Sequence, residues 1–485
     1  MKYAVVTFGC RVNQAESLAI EDRLRAHGAT AVSPGEADVV VVNTCSVTAS
    51  ADQGARQTIR RIARTNPAVR VVVTGCYATR RPGEVSALPN VVRVVENAGK
   101  DDLIDAVAGD IGLTTTAERF GDGDGACGGT LAPGVAGRTA LTLRVQTGCE
   151  ETCSYCIIPR TRGMSRSRPL AGVVRDVQRA VAAGYKEIAI TGVHLGSYGR
   201  DLDDGSSLAT LTRTLSDWPG EILFRISSLE PMDCTQEIVE MVASSERLAP
   251  HFHLPLQHGS DAMLRAMRRP YTASYYRSLI HRIKAVLPHA SVGSDIIVGF
   301  PGETAAHFTE MRMVLEELPL THLHVFPYSD RPGTDASNMF PKVDGREVRE
   351  RGREVRTIGD RMAQQFKASQ TGRTIRALTV DDGQSVVTEN YLKLRLDVRQ
   401  PRNEWVHVRV DEDHQTTVVG DLYQMAVDTS GSATERPTKT GTGDESAAAH
   451  SRDEQLNRRE SGDGTSGLES PRAACKLQTC QNYEQ

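Results

Sequence analysis

The sequence predicts an α/β fold with three folded parts followed by a disordered tail. Short Val-rich runs alternate with amphipathic helical patterns over most of the chain, which is typical of βαβ units and of parallel sheets buried on both faces. After about residue 375 this alternation gives way to short strand-like segments separated by turn signals, as expected of a small antiparallel barrel. The 485 residues leave room for about three domains.

Residues 1–110 predict an N-terminal α/β domain with a parallel sheet. Its strand candidates are YAVVTF, DVVVVN and RVVVTG, with helices predicted at residues 15–27 and 51–64. A cysteine follows each strand candidate: Cys10, Cys45 and Cys76. Because the carboxyl ends of parallel strands meet at one edge of a sheet, we expect these cysteines to converge. Three equivalent positions favour a shared role over three unrelated buried thiols, which would be the ordinary interpretation of a single one.

The segment that follows this domain reads as an irregular connection from residue 99 to residue 137. Its second part, residues 111–137, is predicted to be a flexible linker because of the glycine-rich run GDGDGACGG. Cys127 lies in that run without a partner motif, so no role is assigned to it.

Residues 138–366 predict a partial parallel barrel of about six βα units. The strand candidates are ALTLRVQ, EIAITG, ILFRIS, HFHLPLQ, SVGSDIIVGF and HLHVFPYS. The predicted helices cover residues 173–183, 208–216, 235–243, 262–268, 273–286 and 305–317. In such barrels the chemistry occurs at the carboxyl ends of the strands.

The loop after the first of these strands, TGCEETCSYCIIPRTRG, holds Cys149, Cys153 and Cys156 in a C-x3-C-x2-C spacing. Iron–sulfur clusters are usually held by four thiolates, so a triplet predicts a [4Fe–4S] cluster with one iron open to a small ligand. A structural zinc site would need four ligands and usually a second cysteine pair.

Loops after the later strands are rich in glycine and polar residues, which indicates a cofactor pocket. Four polar side chains in or beside these loops are candidates for hydrogen bonds to a cofactor: His194, Gln257, Ser294 and Asp295.

The C-terminal third begins with a basic segment, residues 342–376, that reads largely as a charged helix. A solvated face is the ordinary interpretation of such a run, and an RNA-binding surface is the alternative. Residues 367–428 predict a small antiparallel β-barrel, from the segments RALTVDD, SVVTENYLKLRLDV, EWVHVRVDE and LYQMAVD. Residues 429–485 contain too few large apolar residues to fold, and the pair Cys475 and Cys480 within them is weak evidence for a metal site.

Composition narrows the cellular setting. The net charge of −4 gives no overall basic signature, so a nucleic-acid surface would have to be local. The N-terminus carries no signal-peptide pattern, and no apolar run is long enough to span a membrane. We therefore expect a cytoplasmic protein without a membrane partner. Ten cysteines in that compartment suggest metal or redox chemistry before disulfides.

These motifs together resemble a known family. The C-x3-C-x2-C loop in a βα barrel resembles the radical S-adenosylmethionine (SAM) enzymes, and the three earlier cysteines narrow the resemblance to the methylthiotransferases. The match covers about residues 1–427. The segments GCRVNQAES, NTCSVT, HLPLQHGSD, GSDIIVGFPGET and FPYSDRPGT look most like the branch that acts on N6-threonylcarbamoyladenosine in tRNA.

The resemblance implies specific roles. Cys149, Cys153 and Cys156 would hold the radical SAM [4Fe–4S] cluster and be catalytic, and Cys10, Cys45 and Cys76 would hold an auxiliary [4Fe–4S] cluster. Both clusters and SAM would serve as cofactors: a 5′-deoxyadenosyl radical would remove hydrogen from C2 of adenine 37 in the tRNA anticodon loop, and sulfur from the second cluster would be added as a methylthio group. The barrel at residues 367–428 would be a TRAM domain.

The resemblance also implies two further partners: a flavodoxin-like or ferredoxin-like electron donor and a sulfur donor. Four alternatives stay open from the sequence. The substrate could be isopentenyladenosine in tRNA or an aspartate of a ribosomal protein. The other two, from different classes, are an iron–sulfur electron-transfer or cluster-carrier protein and an RNA-binding protein whose clusters are only structural.

Overall fold

The computed structural model describes residues 1–112, 132–134, 139–411 and 415–419. Several predictions fall outside these ranges: most of the linker with Cys127, the last strand candidate LYQMAVD, and the tail with Cys475 and Cys480. The domain boundaries proposed from the sequence therefore stay predictions.

The N-terminal part is built on a parallel sheet with strand order β2-β1-β3-β4-β5. Its strands are β1 (Lys2–Thr7), β2 (Thr30–Ala31), β3 (Val39–Thr44), β4 (Arg70–Gly75) and β5 (Val91–Val95). Its helices are α1 (Arg11–Ala26), α2 (Ala49–Thr65), α3 (Cys76–Arg80), α4 (Pro82–Ser86) and α5 (Leu103–Ile111), with a 3₁₀ helix at Asn97–Asp102.

Successive valines of the central strands pack on opposite faces of this sheet. Val40 and Val42 contact the residues of α2, whereas Val39 and Val41 pack with residues of α1 and α5. A sheet covered on both faces needs apolar side chains at every position, which explains the unbroken valine runs.

One sequence interpretation of this part is wrong. Residues 103–111, read as irregular, form helix α5. Leu103, Ile104, Val107 and Ile111 recur at helical spacing and are buried against the sheet. Gly112, at φ +66°, ends the helix in the left-handed conformation that glycine tolerates.

The central part contains two parallel sheets, β6-β9-β10 and β11-β12-β13. Parallel bridges between Phe224 and Leu248 and between Ser228 and His253 connect β10 with the β11 segment. The strands are β6 (Leu141–Arg144), β7 (Gln146–Thr147), β8 (Arg166–Ser167), β9 (Glu187–Thr191), β10 (Leu223–Ile226), β11 (His251–His253), β12 (Ser291–Val298) and β13 (His322–Pro327). The predicted α/β class with parallel strands is confirmed, and the curvature of a partial barrel stays a prediction.

Helices alternate with these strands. They are α6 (Ile158–Arg162), α7 (Leu170–Ala182), α8 (Leu208–Ser216), α9 (Gln236–Ser244), α10 (Asp261–Ala266), α11 (Ala273–Val286) and α12 (Ala305–Glu317). Short 3₁₀ helices lie at Leu195–Ser197, Pro231–Asp233 and Asp335–Asn338.

Strand β12 shows which side of the central sheets faces the site. Val292, Ile296 and Val298 pack in the core with the surrounding helices. Because side chains alternate along a strand, Asp295 and Ile297 lie on the opposite side, which we call the inner face. Ile297 and Tyr155 of the cysteine loop both pack against one buried cluster that includes Phe300, so the inner face runs up to that loop.

The C-terminal part begins with α13 (Gly345–Ala368), which confirms the predicted charged helix. Its apolar side, including Val355, Ile358 and Met362, packs into the central core. The following strands close into a small barrel in the order β14-β15-β16-β18-β17. They are β14 (Thr374–Val380), β15 (Ser385–Thr388), β16 (Lys393–Leu396), β17 (Trp405–Val410) and β18 (Gln415–Val419).

This small barrel agrees with the predicted β domain, with two differences. Strand β18 lies at residues 415–419, between two predicted strand segments, and pairs parallel with β16. The other strand pairs are antiparallel. Its assignment as a TRAM domain stays a prediction.

A loop of the small barrel packs against the other two parts of the chain. The Tyr391 hydroxyl accepts a hydrogen bond from Arg11 Nη2 at 2.5 Å, and its ring centroid lies 4.5 Å from that of His251. The guanidinium of Arg225 lies 4.8 Å from the same ring and donates from Nη1 to the Glu389 carbonyl at 3.0 Å. Tyr391 thus lies where three parts of the chain meet.

Within the described ranges, no helix combines the length and the apolar character that crossing a membrane requires.

Candidate functional site

The cysteine loop after β6 has a fixed backbone. Gly148 has φ +76°, and a Cβ built on it would lie 1.8 Å from the Met164 carbonyl oxygen, so this position requires glycine. The next amide, of Cys149, donates to the Gly163 carbonyl at 3.1 Å. Gln146 Nε2 donates to the carbonyls of Thr147 and Gly148 at 2.9 and 2.8 Å. The start and the end of the loop are therefore held together.

The structure brings the three thiols of this loop into one neighbourhood. Burial, together with the nearby thiols of Cys153 and Cys149, raises the pKa of Cys156 to about 12. Arg269 Nη1 lies 3.1 Å from Cys153 Sγ. This guanidinium is also paired with Glu230, so a buried cation is held beside the thiol.

His194 forms a hydrogen bond with Cys149, the remaining thiol of this loop. Its Nε2 lies 2.9 Å from Asp233 Oδ2. Burial alone would lower the pKa of His194, but hydrogen bonds with Asp233 and Cys149 raise it to about 10. His194 was a candidate from the sequence. Arg269, Glu230 and Asp233 were not predicted, because nothing in their local sequence indicates that they lie next to the loop.

The N-terminal cysteines also converge, at the carboxyl edge of their sheet. Cys10 precedes α1, Cys45 follows β3, and Cys76 begins α3. Burial and the neighbouring thiols of Cys10 and Cys76 raise the pKa of Cys45. Gly9, at φ +88°, leaves room for Cys45, because a Cβ on Gly9 would lie 2.6 Å from its Sγ.

Helix α6 links the two cysteine groups. It follows Cys156 and ends at Arg162, whose Nη2 donates to Asn13 Oδ1 at 2.5 Å and whose Nη1 donates to Glu16 Oε1 at 2.7 Å. Asn97 Nδ2 contacts Cys76 Sγ at 3.6 Å and donates to the Thr161 carbonyl at 2.8 Å. One short helix thus reaches from the first group to the surroundings of the second.

Glu16 forms the centre of a buried ion network at this junction. Its Oε2 lies 2.6 Å from Lys100 Nζ, and its Oε1 lies 3.1 Å from Arg144 Nη1 in addition to the contact with Arg162. The side chains of Glu16, Lys100 and Arg162 are 2–3 % exposed. The N-terminal and central parts are therefore joined through desolvated charges.

Both cysteine groups fit a [4Fe–4S] cluster by their chemistry. Thiolates are the ligands such clusters take, and burying thiolates is favourable only where positive charge offsets them. Arg269 supplies that charge at Cys153. At the second group it comes from Arg162: burial lowers the pKa of Arg162, but Glu16, Cys76 and Cys10 together raise it. Cys234, in contrast, lies in the hydrophobic core of the central part.

The inner face carries a group of three polar side chains, of which the sequence predicted one. His253 Nε2 and His324 Nδ1 lie 2.9 and 3.2 Å from Asp295 Oδ1. The ligand atoms of these three residues all lie within 4.8 Å of one another. Asp295 was a sequence candidate, and the two histidines on neighbouring strands could have been found only from the strand register.

The other two polar candidates differ in outcome. Ser294 is fully buried, and its hydroxyl accepts from the Leu256 amide at 3.0 Å, so the expectation that it hydrogen-bonds a cofactor is wrong. The alternation of β12 places Ser294 on the side of the helices. Gln257 takes a backbone φ of +68°, and its amide donates to the Asp295 carbonyl at 2.8 Å, which leaves the role of its side chain a prediction.

Comparison with known proteins identifies the class first. Residues 143–315 match the radical SAM superfamily, and residues 2–96 match the family described as Uncharacterized protein family UPF0004. The parallel α/β part that carries the C-x3-C-x2-C loop is therefore a radical SAM domain, which implies SAM and a [4Fe–4S] cluster as cofactors.

Full-length relatives identify the family. The chain is 34% identical to the threonylcarbamoyladenosine tRNA methylthiotransferase MtaB of Bacillus subtilis over 84% of this chain and 97% of the relative. It is 36% identical to the MtaB of Aquifex aeolicus over 81% and 96%. It is 30% identical to the tRNA-2-methylthio-N(6)-dimethylallyladenosine synthase of Thermobifida fusca over 88% and 86%. The chain belongs to the MtaB-type radical SAM methylthiotransferase family and is an enzyme of that type.

Among solved structures, the chain is similar to the radical SAM methyltransferase TsrM from Kitasatospora setae. The TM-score is 0.49 at 17% identity, over 69% of this chain and 76% of that one.

Proposed function

We propose that this enzyme adds a methylthio group to C2 of N6-threonylcarbamoyladenosine at position 37 of tRNA. The observation that carries the proposal is that two groups of three cysteines each converge and are linked by one short helix, α6. In the proposal, Cys149, Cys153 and Cys156 hold the radical SAM cluster, and Cys10, Cys45 and Cys76 hold a second one.

Bound clusters would supply the electron that cleaves SAM and an open iron that holds the incoming sulfur. The residues of the chain orient and protect this chemistry. His194 and Arg269 fix two thiols of the first group, each held in turn by a carboxylate: Asp233 or Glu230. Arg162 holds the end of α6 against Asn13 and Glu16, which limits the freedom of the second group relative to the first.

The choice of the threonylcarbamoyl group is supported by the inner face. A threonylcarbamoyl substituent carries a ureido group, a hydroxyl and a carboxylate, whereas a dimethylallyl substituent offers no hydrogen-bonding atom. The group of His253, Asp295 and His324 is polar and partly exposed, with 46% of the His324 side chain accessible. A site built to hydrogen-bond a substituent strongly disfavours one that lacks polar atoms, because its own polar groups are then left unpaired.

The sequence alternatives carry less support. A dimethylallyl substrate would favour an apolar lining, and the relatives described above are named as enzymes of tRNA and not of a protein aspartate. An electron carrier would need neither the inner-face group nor membership of a methylthiotransferase family. We further propose that residues 367–428 form a TRAM domain and that the enzyme works in the cytoplasm. It would receive electrons and sulfur from separate donors.

Anticodon stem-loops provide the test. The anaerobically reconstituted enzyme is incubated with SAM, a reductant and sulfide, and with stem-loops that carry either threonylcarbamoyladenosine or dimethylallyladenosine at position 37. Nucleoside mass spectrometry should find the 2-methylthio product of the threonylcarbamoyl substrate. Product formed only from the dimethylallyl substrate would contradict the proposal.

A variant tests the structural argument for this choice. Replacing His324→Leu removes a polar atom from the inner face, so turnover of the threonylcarbamoyl stem-loop should fall about tenfold or more. His281→Leu, on the exposed side of α11, serves as the matched control and should change turnover little. Equal losses in the two variants would argue against recognition by the inner face.

A further inference from the structure

A basic pocket opens beside the cysteine groups and has no role in the mechanism described above. It has a volume of about 330 Å³ and lies between α3, α6 and the loop after β13. We call it the arginine pocket, and its lining residues are Thr79, Arg80, Arg81, Ile157, Arg160 and Pro332.

Residues on two walls of the arginine pocket lie close in sequence to the two cysteine groups. Thr79 lies three residues after Cys76, and Ile157 directly follows Cys156. The backbone amide of Asn97 donates to Thr79 Oγ1 at 2.8 Å, and the Asn97 side chain donates to the Thr161 carbonyl at 2.8 Å. Because Asn97 holds both walls, a group bound in the pocket would lie beside the two loops that carry the thiols.

The charges of the pocket are unevenly compensated. Arg80 is paired with Asp52, which also contacts Arg331 at 3.0 Å. Arg81 and Arg160 are exposed, and in the described ranges neither has a carboxylate within ion-pair distance. Two guanidinium groups at one concavity therefore keep hydrogen-bond donors available for an anion.

One of these arginines, Arg160, lies beside a glycine of the loop after β13. Gly333 has φ +100°, and a Cβ built on it would lie 2.5 Å from Arg160 Nη1. The guanidinium therefore lies against the backbone of this loop, in the space that a side chain at position 333 would occupy.

We propose that the arginine pocket binds a backbone phosphate of the RNA substrate, next to the nucleotide that is modified. This inference rests on the proposed function, since it takes RNA as the substrate. Arginine donates two parallel hydrogen bonds to phosphate oxygens, and such contacts fix the position of a nucleic acid without reading its sequence. A base that leaves its stack to reach an active site needs its backbone anchored, and this pocket provides an anchor between the two thiol-bearing loops.

The test measures RNA binding rather than activity. The reconstituted full-length enzyme is titrated with a fluorescently labelled anticodon stem-loop at several salt concentrations. Each of Arg81→Gln and Arg160→Gln should weaken binding about tenfold at low salt. Each should also reduce the slope of log affinity against log salt by about 0.7, the value for one lost contact to a single-stranded phosphate.

Two further variants separate a specific contact from general attraction. Arg64→Gln removes the same charge at the end of α2, an exposed position at the opposite edge of the same sheet, and should leave affinity and slope close to wild type. Arg160→Lys keeps the charge and should retain the salt slope while losing affinity, because an ammonium cannot form the bidentate contact.

The outcomes distinguish the two proposals. If the wild-type enzyme does not bind the stem-loop, the proposed function fails. If the wild type binds and the double variant of Arg81 and Arg160 binds equally well with the same slope, the arginine pocket is not the phosphate site. A loss equal to that of Arg64→Gln overturns the inference in the same way, because it indicates only a long-range effect of charge.

Discussion

Replacing Glu16→Gln should destabilise the junction between the N-terminal and central parts. The substitution keeps the size of the side chain and one oxygen acceptor but removes its charge. Lys100 and Arg162, both about 2% exposed, would then be buried without the carboxylate that compensates them. Arg144 would still be paired with Asp101 at 2.6 Å.

The size of the effect follows from burial. Removing one partner of a buried ion pair usually costs about 3–5 kcal/mol, because the remaining charge stays desolvated. Glutamine can still accept hydrogen bonds, so we expect a value near the lower end, about 3 kcal/mol. That is a large fraction of the total stability of a typical protein, about 5–15 kcal/mol.

Urea unfolding provides the measurement, since urea leaves the ionic strength unchanged. Far-ultraviolet circular dichroism reports on all parts of the chain, whereas the two tryptophans, Trp218 and Trp405, lie outside the N-terminal part. The matched control is Glu84→Gln, which breaks the exposed Arg56–Glu84 pair and should cost at most about 1 kcal/mol. A loss for Glu16→Gln no greater than that of the control would refute the reasoning.

The pH dependence gives a second check on the same residue. Burial alone would raise the pKa of Glu16, but Lys100, Arg162 and Arg144 together lower it well below its ordinary value of 4.5. A carboxyl whose pKa is lowered on folding contributes stability above its unfolded pKa and loses it as the pH falls through the folded one. The advantage of wild type over Glu16→Gln should thus be full above pH 4.5 and shrink in more acidic solution.

Further substitutions test the cysteine groups. Cys153→Ala should abolish reductive cleavage of SAM. Cys45→Ala should still release 5′-deoxyadenosine but form no methylthio product. Methylthiolated nucleoside made by the Cys45→Ala protein would refute the role of the second group. Gly148→Ala should destabilise the chain by at least about 2 kcal/mol and lower its iron content, since its Cβ would collide with a carbonyl at φ +76°. Gly172→Ala, inside α7, should instead stabilise by about 1 kcal/mol, because the nearest atom to its Cβ would be Arg175 Nη2 at 3.9 Å.

Local sequence signals explain why many helices were predictable. Helices α8, α11 and α12 begin and end at the predicted residues, and each follows an N-cap residue: Ser207, Thr272 or Thr304. Each of these side chains accepts a hydrogen bond from the first turn, a signal contained in the sequence around it. The convergence of the cysteines was also predictable, because strand direction alone decides where the ends of parallel strands meet.

The remaining features depend on contacts between distant segments. Arg162 and Glu16 are separated by 146 residues, and no local pattern shows that they pair. The error at Ser294 came from treating neighbours in sequence as neighbours in space: Asp295 lies on the inner face, and Ser294 lies on the other side of the strand. Helix α5 was not predicted because its glycine and acidic residues are typical of a loop. Its apolar residues are buried against the sheet, a contact between distant segments that the local sequence does not show.

The position of Tyr391 limits how this enzyme can be divided. The C-terminal barrel looks like a separable module in sequence, yet its tyrosine occupies a contact shared by Arg11, Arg225 and His251. A truncation before residue 367 would therefore expose the surfaces of the other two parts that Tyr391 covers. It would also remove the Tyr391 hydroxyl and the Glu389 carbonyl, the acceptors for Arg11 and Arg225. Exchange of this barrel between relatives should succeed only when the residues that surround the tyrosine are exchanged with it.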